Sequence, residues 1–168
     1  TKIIDPEVNK LNIARTTIAC DGYSCFLEKE IHEQPEALKN AMRGRFNKDG
    51  DNIKLSGIKL PRKVKRVIFL GCGTAYHAGI VGKYYMDNIA GIPASVEYSS
   101  EFKYKNNPMS PNTLVIAVSQ SGETADTIKA IKEAHAAGAM VISVTNTVAS
   151  TIARLTGNGV YQYAGPEL

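Results

Sequence analysis

Two short stretches of this chain gather the residue types that can hold an anion. The first is Ser119-Gln120-Ser121-Gly122-Glu123-Thr124. Hydroxyls and an amide crowd a turn that leads from an apolar run into a helical pattern. The first backbone N–H groups of a helix lack partners, and the helix dipole favours negative charge there. Ser and Thr hydroxyls can add donors to a phosphate, and Gly122 lets the chain come close. Such a site needs no Lys or Arg. It does need Glu123 to point away, because its carboxylate would repel the anion. The plain alternative makes Ser121 an N-cap and Glu123 a first-turn acid. A cap explains one hydroxyl, but not Ser119, Ser121 and Thr124 together with Gln120.

The second stretch is Gly71-Cys72-Gly73-Thr74-Ala75-Tyr76. Its glycines permit a sharp turn and close approach to a ligand, and Thr74 offers a hydroxyl near a helix start. A dinucleotide fingerprint also begins Gly-x-Gly, and Glu97 could mimic its ribose-binding acid. The third glycine of that pattern falls where Tyr76 stands, so the fingerprint is incomplete. Cys72 reads as a small, buried strand-end residue; a nucleophile would need a partner that the sequence does not identify. His32, His77 and His135 show no metal spacing, and no metal or cofactor is expected. Cys20 and Cys25 read as incidental, and Asp126 and Lys129 as solvated.

The elements that must position these loops follow from pattern. Residues 1–22 read as a lead-in or linker. Residues 24–42 read as a helix with Ser24 as N-cap and a break or kink at Pro35. The Gly- and Asp-rich stretch 44–60 reads as loop. Strands are expected at Val67–Leu70, Ala94–Tyr98, Thr113–Val118, Met140–Val144 and Val160–Tyr163. Helices are expected over Thr74–Ile89, Glu123–Ala137 (stopped by Gly138) and Ala149–Leu155. Strands apolar throughout are buried on both faces, and alternation with helices implies parallel crossovers. The expected fold is α/β: a three-layer α/β/α sandwich on a five-stranded parallel sheet, flavodoxin-like. Residues 23–168 would form one domain, with a helical segment at about 23–60. Ligands in such sheets bind beyond the carboxyl ends of the strands, where strand order reverses.

Composition bounds the function. The 168 residues carry a net charge of +4, with 43% apolar residues, ordinary for one globular domain. Three cysteines without a Cys-x-x-Cys pair argue against a disulfide framework or zinc ribbon, and a reducing, cytoplasmic setting is expected. No apolar run approaches the ~20 residues of a membrane helix. Residues 1–66 carry a net +5 and the rest a net −1. Lys59, Arg62, Lys63, Lys65 and Arg66 supply much of that excess. No aromatic residues interleave with them to stack bases, so a solvated loop is the better reading and no nucleic acid is expected.

The motifs go further in combination. Gly71-Cys72-Gly73-Thr74 and the run from Ser119 to Thr127 resemble those of the sugar isomerase (SIS) domain family. Gly22-Tyr23, Lys29 to Pro35, Ala90-Gly91-Ile92-Pro93 and Ser100-Glu101-Phe102-Lys103-Tyr104 narrow the resemblance. Together they are similar to the first half of the isomerase region of the glutamine–fructose-6-phosphate aminotransferase family. The likeness spans about Gly22 to Glu167.

By that resemblance, the phosphate of a hexose phosphate is bound by Ser119, Gln120, Ser121 and Thr124. The sugar lies at Thr74, with Gly73 and Cys72 beside it. Ala75 stands where family members commonly have Ser, which implies one hydrogen bond fewer to the sugar. The resemblance also implies a longer enzyme with a glutaminase domain and a second SIS half, which would supply the acid/base chemistry, and a homo-oligomer. On this reading the chain is a fragment that holds no catalytic residue and is inactive alone. Two other readings stay open. One is a stand-alone phosphosugar-sensing module of a regulator, although residues 1–66 show no convincing helix-turn-helix. The other is a dinucleotide-binding domain.

Overall fold

A computed structural model describes residues 20–165 apart from residues 48, 56 and 107. The expected lead-in therefore lies almost wholly outside the described residues. Strands β1 (Arg66–Gly71), β2 (Ala94–Tyr98), β3 (Thr113–Ser119), β4 (Met140–Thr145) and β5 (Gly159–Tyr161) form one sheet. Its order is β2-β1-β3-β4-β5, and every pairing is parallel. The strands lie within a residue or two of their expected bounds. The reason is visible in β1 and β3, whose apolar side chains are buried on both faces, as central parallel strands require.

Helices cover both faces. On one, α3 (Ala125–Ala136) and α4 (Thr151–Thr156) bury Ala130, Ile131, Ala134 and Ile152 against Ile68, Leu70, Val115, Ala117 and Val141. On the other, α2 (Thr74–Tyr85) covers Val67 and Phe69. A π-helical turn, Met86–Ala90, extends α2, and Asp87 Oδ1 accepts the Ala94 N–H at 2.9 Å to join that turn to β2. Gly138 ends α3 with φ +83°. The three-layer α/β/α sandwich is the architecture the sequence implies.

Two local expectations need correction. The first helix, α1 (Phe26–Met42), runs through Pro35 without breaking. Proline removes one donor, and the carbonyl that loses it, that of Ile31, lies on an exposed stretch open to water. Nor is Ser24 the N-cap; Cys25 holds that position. Ser24 instead donates from both its N–H and its hydroxyl to Glu28 Oε2, at 2.9 and 2.6 Å. An acid in the first turn thus reaches back to the incoming chain, as in half of a capping box.

Candidate functional site

The strand order sets the site. β1 and β3 are neighbours, and the chain leaves β1 toward β2 on one side and β3 toward β4 on the other. This is the reversal at which a crevice opens beyond the carboxyl ends of parallel strands. The ladder runs from Arg66 opposite Thr113 to Leu70 opposite Ala117. The two loops singled out above, 71–76 and 119–124, therefore leave adjacent strands at the same end.

The first loop is shaped by close packing. A Cβ at Gly71 would lie 2.8 Å from the backbone of Ala75 and Tyr76, so only glycine lets the first turn of α2 fold back onto the strand end. Gly73 is the N-cap of α2, at φ +56°, and Thr74 opens the helix. Both are exposed, while Cys72 is half-buried rather than buried as expected. Tyr76 stacks on Tyr98, ring centroids 3.7 Å apart. Glu97, the mimic of a ribose-binding acid, is held by Lys105 Nζ at 2.6 Å. The strand order also departs from the 3-2-1-4-5-6 of dinucleotide folds.

The second loop brings two of its three hydroxyls into contact and bonds the third to its own backbone. Ser119 Oγ and Thr124 Oγ1 are 3.1 Å apart. Ser119 Oγ accepts the Gly122 N–H at 3.1 Å, and Ser121 Oγ accepts the Glu123 N–H at 3.2 Å. Thr124, not Ser121, is the N-cap of α3, and it makes no side-chain cap bond. The Ile128 N–H to Thr124 carbonyl bond starts the helix, so the N–H groups before it have no intrahelical acceptor. Ser121 is exposed, and Gln120 and Thr124 are half-buried. Behind the loop, Thr127 Oγ1 donates to Ser99 Oγ at 3.0 Å and ties α3 to the segment after β2.

Glu123 points away from the hydroxyls, as an anion site demands. Its Oε1 accepts the Thr151 N–H at 2.8 Å, at the start of α4. Hydrogen bonding from Thr151, first its side chain and then its backbone, holds the Glu123 carboxyl below the ordinary carboxylate range. Burial opposes this, and the charge of Arg154 adds a smaller pull.

Sequence reasoning missed the β4–α4 connection as the wall behind this loop. Asn146 and Thr147 donate from their backbones to the Gln120 carbonyl, at 3.0 and 3.3 Å, and Ile152 N–H to the Gly122 carbonyl at 2.9 Å. The available signal was Ser150-Thr151 before Ile152, cap-type residues ahead of a buried one. The remaining candidates stay apart from the site or at the surface. Asp126, Lys129, His77 and His135 are exposed, and no group of three potential metal ligands occurs among the described residues. No helix among them is long and apolar enough to cross a membrane.

Comparison with known proteins fits this fold. The SIS domain family model matches residues 62–168. Glutamine–fructose-6-phosphate aminotransferase (isomerizing) of Caldanaerobacter subterraneus subsp. tengcongensis is 47% identical over 151 residues, covering 88% of this chain and 25% of that protein. The protein of the same name from Clostridium acetobutylicum is 43% identical over 169 residues, covering 98% of this chain and 28% of its own length. The chain thus spans about a quarter of the length of the curated relatives it matches. Among solved structures, the C-terminal domain of glucosamine-fructose-6-phosphate aminotransferase from Francisella tularensis superposes with a TM-score of 0.80. It is 34% identical, and the match covers 88% of this chain and 42% of that one.

Proposed function

The chain belongs to the SIS domain family, and on that premise we propose that it binds the phosphate of a hexose phosphate. The ligands of this reading are fructose 6-phosphate as substrate and glucosamine 6-phosphate as product, and the setting is the first SIS half of a cytoplasmic glutamine–fructose-6-phosphate aminotransferase. One observation carries it. Ser119, Ser121 and Thr124 bring their hydroxyls to the N-terminus of α3, while the one carboxylate of the loop turns to α4. In this reading Ser119, Gln120, Ser121 and Thr124 hold the phosphate. Thr74, with Gly73 and Cys72, faces the sugar from the neighbouring strand end.

The role of the chain is then binding and orientation, which can account for a large share of a barrier reduction. Moving a proton between C1 and C2 of the sugar needs a base, and the reading assigns that base to a second SIS half. A glutaminase domain would supply the nitrogen, and the assembly would be a homo-oligomer. The exposed apolar side chains of α1, α2 and the π-helical turn after it, among them Ile31, Leu38, Ile80 and Ile89, suit such packing.

Thermal shift tests this directly. A ligand that binds only the folded state raises the melting temperature with its concentration. Fructose 6-phosphate and glucosamine 6-phosphate should each stabilise the chain, and NAD should not. Ser121→Ala should weaken phosphosugar binding about tenfold or more, as expected for a lost hydrogen bond to a charged group, with the fold intact. The chain alone should show no isomerase turnover. An unchanged shift in Ser121→Ala, or stabilisation by NAD alone, would rule the reading out.

A further inference from the structure

The hydroxyl loop does not stand by itself. Its backbone leans on the β4–α4 connection through the Gln120 and Gly122 carbonyls. Its one side-chain tie to that wall is Glu123, whose Oε1 accepts the Thr151 N–H at 2.8 Å. The Glu123 N–H in turn donates to Ser121 Oγ at 3.2 Å. A continuous path therefore runs from the first residue of α4, through Glu123, to the exposed hydroxyl of the loop. Arg154 completes the far end. Its guanidinium donates to the Ala149 carbonyl, and Nη2 donates to Thr151 Oγ1 at 3.2 Å.

We infer that Glu123 is a positioning residue for anion binding: its carboxylate fastens the hydroxyl loop to α4 and so sets the Ser121 hydroxyl, although it touches no ligand. This rests on the reading of Ser119–Thr124 as the phosphate loop. The inference has an unusual sign. By charge alone, removing a carboxylate beside a phosphate site should tighten binding. If the carboxylate acts as a strut, removing it loosens the hydroxyl and weakens binding. A purely structural cap would change stability and leave affinity alone.

Three variants of the 168-residue chain separate these cases, with glucosamine 6-phosphate as the probe in calorimetric titration. Glu123→Ala removes acceptor and charge. Glu123→Gln removes the charge and keeps an oxygen that accepts the same N–H. Thr151→Pro removes both Thr151 groups that bond Glu123, the N–H and the hydroxyl, and leaves Glu123 in place. Thr151 is the first residue of α4, where proline is well tolerated, and Ser150 before it sits at φ −61°, ψ 163°, a conformation that suits a residue preceding proline.

Glu123→Ala and Thr151→Pro should each weaken affinity about five- to tenfold, the scale of one lost hydrogen bond. The double variant should be no worse than the weaker single one, since both cut the same link. Glu123→Gln should stay within about twofold of wild type. Circular dichroism checks that each variant is folded, and Ser121→Ala is the control for the loop. If Ser121→Ala binds like wild type, the phosphate-loop reading falls and this inference falls with it. If Ser121→Ala weakens binding while Glu123→Ala and Thr151→Pro do not, the strut alone is overturned. Tighter binding by Glu123→Ala, or a loss in Glu123→Gln as large as in Glu123→Ala, also overturns it.

Discussion

Gly122 is the residue at which the loop has least room. Its φ is +67°, and a Cβ built on it would lie 2.0 Å from Ser150 Oγ and 2.5 Å from Ser150 Cβ. Two costs would meet in Gly122→Ala: left-handed backbone strain of about 1–2 kcal/mol, and displacement of a buried neighbour. The variant should lose about 2–4 kcal/mol of stability, read by urea denaturation. Adding Ser150→Gly should recover the steric share and leave the backbone share. A neutral Gly122→Ala would mean that the loop and the β4–α4 connection are not packed as described. The sequence made half of this legible. The loop chemistry pointed to a glycine needed for close approach and to a Glu that turns away. It did not name what either meets, because Ser150 and Thr151 lie some 28 residues further along the chain. Only the sheet, by pairing β3 with β4, brings the two segments together.

Elements were legible where composition alone decides them. Apolar runs closed by Gly71 and Ser119 marked the strands, and Gly138 marked the end of α3. The orientation of α2 was not legible. Tyr76, Ile80, Tyr84 and Ile89 recur at about a helical turn, yet Ile80, Tyr84 and Ile89 are 45, 61 and 77% exposed. The side that meets the sheet holds Gly79, where an added Cβ would lie 2.9 Å from Val96 Cγ1 and 3.1 Å from Phe69 Cβ. A hydropathy period follows large side chains and is blind to a glycine that lets a helix sit close on a strand. In α3 the pattern and the packing agree: Ile131 is 0% exposed against β1 and β3. Paired substitutions check this assignment of faces. Ile131→Ala should cost about 2–5 kcal/mol. Ile80→Ser should stay within about 0.5 kcal/mol of wild type in the isolated chain, as surface changes do. A large loss from Ile80→Ser would mean that α2 packs by its other side.

Across the whole molecule, the basic cluster of residues 59–66 and the site loops sit at opposite ends of the sheet. All five strands run the same way, and the site loops leave the carboxyl ends of β1 and β3. The basic segment enters at the amino end. Arg66 begins β1, the Lys65 N–H donates to the Asn112 carbonyl just before β3, and Lys59 is bonded through its backbone to the Asn158 side chain just before β5. That cluster, which supplies much of the excess positive charge of residues 1–66, is therefore not the source of phosphate affinity in the proposed site. That site works through hydroxyls and helix N–H groups, and neither loop contains Lys or Arg. Short hydrogen bonds are screened far less than distant exposed charges, whose reach shrinks from ~10 Å at about 0.1 M salt to ~3 Å at about 1 M. Raising sodium chloride over that range should change glucosamine 6-phosphate affinity by less than about threefold. Lys63→Gln with Lys65→Gln should leave affinity within about twofold, since a rim of distant charges contributes mainly to encounter rate. A steep loss of affinity with the two lysines would put the anion at the basic cluster and away from the Ser119–Thr124 loop, and a steep loss with salt would overturn binding by hydroxyls and N–H groups.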